Sequence, residues 1–206
     1  MLELEKEEHA PETEEYGISS TIFRANNMPF HPERLSAVLH GFGDYGSALA
    51  ASDSDGTASH TDRAIRAKRS KSGRNCMDEA FRGVVRCKGQ LWLANAHAFP
   101  MSLHVAGRHL TVLPTDEPFL AAQDNEHWDN TMKEDKKNLV QDGRWDKTFG
   151  DRRSEIVCIG VNLNKPLIAE KLRDALLTKS ESKALGGVEG WRKLNDPFFG
   201  GECADH

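Results

Sequence analysis

Nine histidines are the residues of this chain with the widest chemical repertoire, because a neutral imidazole binds zinc and related metals and titrates near physiological pH. His97, His104 and His109 fall close together in sequence. A turn at Ala106-Gly107-Arg108 separates the last two: a two-residue loop there puts His104 and His109 on the same face as direct or diagonal cross-strand neighbours, whereas a three-residue loop sends them to opposite faces. A metal could then bridge them, with His97 as the candidate third ligand. A metal-dependent enzyme built on this trio would need an open coordination position and a nearby carboxylate such as Asp116 or Glu117. The competing reading is that all three are ordinary half-exposed sheet histidines.

Other side chains narrow the chemistry. The strings that cradle phosphates, bind dinucleotides, hold proteolytic zinc or form a nucleophile elbow are absent from the sequence. Cys76, Cys87, Cys158 and Cys203 show no C-x-x-C spacing, so neither a disulfide framework nor a zinc knuckle is expected, and Cys87 and Cys158 read as small hydrophobes on inward strand positions. His31 before Pro32 reads as a helix-start residue. Arg63, Arg66, Lys68, Arg69, Lys71 and Arg74 form a run without intervening acids. Such a tract can contact phosphates by charge density, but it lacks the interleaved aromatics of a single-strand binder. A solvated loop is the expected reading, and a nucleic-acid binder is the alternative.

The elements that must position these groups follow from periodicity. Ile18 to Arg24 is β-branched and bounded by Gly17 and Asn26-Asn27, which predicts a strand. His31-Pro32-Glu33 opens a helix whose Leu35, Val38, Leu39 and Phe42 form one stripe. Phe81, Gly83, Val85 and Cys87 alternate with Arg82, Arg86 and Lys88, giving one apolar and one basic face. Lys88-Gly89-Gln90 reads as a turn into a strand at Leu91-Trp92-Leu93-Ala94, and Met101 to Val105 and His109 to Leu113 complete an antiparallel meander. The apolar run Ile156 to Val161 reads as a central strand. Asn164 then caps a helix with Ile168, Leu172, Ala175 and Leu176 inside. The expected fold is α+β, an antiparallel sheet with helices packed on one face in the order β-α-(ββββ)-β-α, carrying two long polar insertions.

Length and charge set the outer limits. The 206 residues suffice for one domain with excursions. Residues 1–15 hold seven Glu against one Lys within a chain of net charge −5, so the acidity belongs to that segment, expected to be a disordered leader or linker. Residues 43–79 read as a basic, low-complexity insertion, 114–150 as a long loop with Phe119, Trp128 and Trp145 as anchors, and 201–206 as a tail. No run reaches the roughly 18 apolar residues of a spanning helix, so no membrane partner is expected. A cytoplasmic location is expected, with plastid and nucleus as alternatives.

Several of these strings together resemble one family. Ile18-Ser19-Ser20-Thr21-Ile22-Phe23-Arg24-Ala25 with Pro29-Phe30-His31-Pro32-Glu33-Arg34-Leu35, then Phe81 to Gly89 leading into Leu91-Trp92-Leu93-Ala94, then Gly150-Asp151-Arg152-Arg153-Ser154-Glu155-Ile156-Val157-Cys158-Ile159-Gly160, are similar in order and content to the C-terminal domain of CobW-type GTP-dependent metallochaperones. The resemblance spans about Tyr16 to Phe199. It implies a non-catalytic, protein-interaction and regulatory domain supporting GTP-dependent delivery of zinc, cobalt or a related metal to a client protein. GTP and the C-x-C-C metal motif belong to that family's GTPase domain, and neither that motif nor the phosphate loop occurs in these residues. The implied partners are a GTPase domain in cis or in trans and a client metalloprotein. Zinc is the implied associated metal, and nucleic acid is not an expected partner.

Overall fold

The computed structural model describes residues 17–39, 80–107 and 109–199. The acidic segment 1–15, the whole basic insertion 43–79 and the tail 201–206 lie outside the described residues. Five strands form one sheet: β1 (Ile18–Ala25), β2 (Val84–Leu91), β3 (Met101–Ala106), β4 (His109–Pro114) and β5 (Ser154–Val161). Their order is β1-β5-β2-β3-β4, with every neighbouring pair antiparallel. The near-continuous apolar run of β5 therefore lies between β1 and β2, in the interior of the sheet.

Helices cover one face. In α1, residues 32–39, Leu35, Val38 and Leu39 are buried. In α3 (Lys165–Asp174) Ile168 and Leu172 are buried, and the Asn164 carboxamide accepts the Leu167 N–H at 3.2 Å to open the helix. These stripes join Phe23, Leu91, Leu103 and Ile156 in a single core. The segment Pro29–His31 ties it together: the Phe30 N–H donates to the Trp92 carbonyl at 2.8 Å, the His31 N–H to Ala175 at 2.9 Å, and the Leu177 N–H reaches Pro29 at 2.9 Å. The expected α+β class, an antiparallel sheet with helices, describes this architecture.

Two stretches differ from the periodic reading. Lys88-Gly89-Gln90 is no turn: β2 runs straight through it to Leu91, and Trp92 and Leu93 leave the sheet to meet Phe30. The glycine is there for close approach, because a Cβ at Gly89 would meet the Glu155 carbonyl and Ile156 Cα of β5. The alternation also slips. A bulge against β5 between Val84 and Arg86 buries Val84 and turns Val85 outward beside Arg86. Arg86 and Lys88 stay on the outer face, as their spacing predicted.

The segment expected to be a long loop, 114–150, contains a 12-residue helix, α2 (Asn130–Gln141), opened by the Asp129 carboxylate accepting the Met132 N–H at 2.8 Å. No residue of α2 is fully buried, and its half-buried face, Met132, Lys136 and Leu139, sets a lysine between two apolar side chains, so the spacing reads weakly as a helix. Phe119 and Trp128 are buried anchors, and Trp145 stands edge-on to Trp128 with centroids 6.4 Å apart. Two short helices follow α3: α4 (Lys179–Ala184) and α5 (Val188–Trp191). Thr178 and Glu181 form a capping box at α4, and Glu181 also grips Arg34 of α1 through two bonds of 3.1 and 2.9 Å. That grip, with help from the Thr178 N–H, holds the Glu181 carboxyl down at about 2.

Candidate functional site

The Gly150 to Gly160 string builds a latch on the inner side. Gly150 takes φ +67°, which carries the chain round to Asp151. The Asp151 carboxylate accepts the Leu120 and Ala121 N–H groups at 2.8 and 2.9 Å, closing a 3-10 turn at Leu120–Ala122. Arg152 turns inward: its Nε donates to the His97 carbonyl at 2.8 Å, Nη1 donates to the Phe149 carbonyl at 3.0 Å, and the guanidinium lies over the Phe119 ring. Burial lowers its pKa, against the opposing pull of Asp151. The Ser154 hydroxyl then accepts the Trp92 N–H at 2.8 Å. These five hydrogen bonds of Asp151, Arg152 and Ser154 fix a loop to a sheet.

His97 sits inside this latch. Its Nδ1 accepts the Trp92 indole N–H at 3.2 Å, and its ring packs with Phe149 and Trp191 at centroid distances of 6.4 and 5.8 Å. Burial, and then the nearby Arg152 and Arg192, push its pKa down to about 3. The imidazole is therefore neutral, but the nitrogen that would bind metal is already occupied by the indole.

His104 and His109 lie elsewhere, on the outer face. A two-residue connection joins β3 to β4, pairing Ala106 with His109 and His104 with Thr111. The two histidines are thus exposed diagonal neighbours on one face, in agreement with the parity argument. His104 Nε2 shares a hydrogen bond of 2.9 Å with the Ser102 hydroxyl. The structure does not bring His97 to this pair, and Asp116 and Glu117 are exposed on the following loop. Among the described residues no three His, Cys, Asp or Glu side chains are grouped to hold a metal ion.

The remaining candidates are accounted for by packing. Cys87 and Cys158 face each other across β2 and β5 as buried free thiols, sulfur to sulfur at 3.8 Å. The Cys158 hydrogen bond and burial both push the Cys87 thiol up, so Cys87 is not a ready thiolate. Burial first and Arg34 second lower the His31 pKa, against Glu33 and Glu181. His127 makes a surface contact with Asp124 at 3.5 Å.

What is left is the outer face itself. Arg86 and Lys88 of β2 are exposed there beside Gln90, Arg153 and Glu155, around a shallow depression of about 470 Å³. Ile18 and Ile22 of β1 and Ile159 and Val161 of β5 are also exposed. The alternation of Arg82, Arg86 and Lys88 marks the basic half of this surface but not the aliphatic half. The signal was present in β5, whose side chains at both parities of Ile156-Val157-Cys158-Ile159 are apolar.

Comparison with known proteins fits these strings and this fold. A family described as the cobalamin synthesis protein cobW C-terminal domain matches residues 56–176. The chain belongs to that family. This cobW C-terminal-domain chain is 34% identical over 192 residues to the zinc-regulated GTPase metalloprotein activator 1 of Dictyostelium discoideum, covering 92% of its own length and 31% of that protein. It is 30% identical over 122 residues to a zinc chaperone of Mycobacterium tuberculosis, covering 59% of itself and 29% of the relative. It thus spans about a third of these curated relatives. Among solved structures, the Zn(II)-bound YjiA GTPase from E. coli aligns at a TM-score of 0.41 with 14% identity, over 79% of this chain and 30% of that one.

Proposed function

We propose that this cobW C-terminal domain is a non-catalytic docking and regulatory module, supporting GTP-dependent delivery of zinc, cobalt or a related metal to a client protein. The single observation that carries the reading is the division of labour across the sheet. Asp151, Arg152 and Ser154 of the family-like string are consumed by the latch on one side, while the other side, which includes Arg153 and Ile159 of the same string, leaves cations and aliphatics exposed. GTP binding and turnover belong to a GTPase domain, in cis or in trans, and a client metalloprotein is the second partner. The wording of the relatives' names, a zinc-regulated GTPase metalloprotein activator and a zinc chaperone, supports zinc as the cargo.

His104 and His109 supply a two-imidazole contact on the same open face, sufficient for a transient metal encounter and short of the three ligands a catalytic zinc site uses. The test is reconstitution. The chain is titrated into a purified GTPase domain of the family together with an apo-client, and GTP turnover and zinc transfer are followed. We expect no turnover by the chain alone and a concentration-dependent change in transfer when it is added. Robust hydrolysis by the chain alone, or transfer indifferent to its presence, overturns the assignment.

A further inference from the structure

We propose that the outer face of the sheet docks an acidic amphipathic helix of a partner protein. The sheet registers arrange this face in rows. Ser20, Ile159 and Arg86 lie side by side, then Ile22, Val157 and Lys88, then Arg24, Glu155 and Gln90. Aliphatics therefore occupy β1 and β5, and cations occupy β2. Of the seven large apolar side chains exposed among the described residues, only Val140 is on a helix; Ile18, Ile22, Val85, Ile159, Val161 and Leu113 are on strands and point outward.

Two observations fix the chemistry of the occupant. The first is charge. Arg24 is paired with Glu155 at 3.0 Å, whereas Arg86, Lys88 and Arg153 form no ion pair with a described residue. The second is β5, whose unbroken apolar run is the pattern of a strand covered on both faces, although the described helices bury only its Ile156 and Cys158 side. A second copy of this chain would set cation against cation, and a bare polyanion would leave the aliphatic strip in water. An amphipathic helix satisfies both halves. It is about 10 Å across with side chains, roughly two strand spacings, so an apolar stripe laid over β1 and β5 brings flanking carboxylates above β2.

This inference rests on the docking role proposed above and names its surface. The probe is a synthetic helix with a Leu stripe flanked by Glu, compared with its Lys-flanked counterpart by fluorescence anisotropy on the full chain. We expect the Glu-flanked helix to bind roughly tenfold or more tightly than the Lys-flanked one, with the difference shrinking in high salt. Arg86→Glu with Lys88→Glu inverts the preference, and Ile22→Ser with Ile159→Ser weakens both peptides. Equal binding of the two peptides, a preference that survives the charge reversal, or duplex DNA displacing the Glu-flanked helix from the Arg86/Lys88 surface overturns the proposal. A dimer in solution that Ile159→Lys dissociates overturns it in favour of a second copy. Peptide discrimination needs neither nucleotide nor zinc, so its failure and a failure of the transfer assay are separable.

Discussion

The two faces of the sheet carry similar numbers of branched aliphatics yet treat polar groups in opposite ways. On the latch side Arg152 and Ser154 are buried, and each has a backbone partner at 3.0 Å or closer. A buried polar group left without a partner costs about 1–3 kcal/mol, so these contacts are conditions of folding. On the outer side Arg86 and Lys88 have no such partners among the described residues and are exposed, where an isolated cation contributes little. Residues that the fold consumes are poorly placed to recognise anything else. Residues that the fold leaves in water are available for recognition, which is why the contact surface is assigned to the outer face.

The contrast is broken most violently at Trp92, the centre of the second hydrophobic cluster with Phe119, Leu177 and Trp191. Trp92→Ala removes the packing under α5 and the indole N–H that His97 accepts, and a loss of about 4 kcal/mol is expected in chemical denaturation. Arg152→Ala comes next. It orphans the carbonyl of His97, leaves the Phe149 carbonyl with only the Arg152 backbone N–H at 3.4 Å and uncovers the Phe119 ring, for an expected loss of about 2–3 kcal/mol. A midpoint within experimental error of the parent would show that the latch carries no stability and that the two faces are alike.

A smaller effect separates the faces by pH. His97 is neutral in the fold down to about 3, while in the unfolded chain it takes up a proton near its ordinary value of 6.5. As the folded pKa is the lower, stability is complete above about pH 6.5 and falls as the pH drops towards 3. The ring is not wholly shielded from solvent, so the expected decline between pH 6.5 and 5 is about 1 kcal/mol. His97→Gln should flatten that slope, measured as denaturation midpoints across the range.

Much of this layout is legible in the residues themselves, because burial writes a period into them. The stripes of α1 and α3, the apolar run of β5 and the parity of His104 and His109 all follow from spacing. Where spacing misleads, the cause is local. Gly89 reads as a turn, yet it is a strand residue whose missing side chain lets β5 approach. Val85 reads as inward, yet a one-residue bulge reverses it, and nothing in Gly83-Val84-Val85-Arg86 announces which residue is extra. α2 buries no residue fully, and Lys136 interrupts its half-buried stripe. His97 was grouped with His104 and His109 by proximity along the chain, but the segment after β2 leaves the sheet at Trp92 and carries His97 to the opposite side. Arg152 and Arg153 are adjacent and chemically equivalent, and only the alternation entering β5 sends one inward and the other out.

The finest test of the comparison is the one with the smallest expected effect on stability. Lys88→Gln, Arg86→Gln and Ile22→Thr alter side chains on the open face that are exposed and make no ion pair among the described residues. Each should change the unfolding free energy by less than about 0.5 kcal/mol, the ordinary range for surface positions. Ile22→Thr keeps the β-branch that strands favour, so any loss there reports lost packing and not lost propensity. A drop of 2 kcal/mol or more would show that the outer face is already covered within this chain, making it part of the core. Unchanged stability, combined with the weakened binding of acidic peptide expected from the charge-reversed variants, separates a surface kept for contact from one needed to fold.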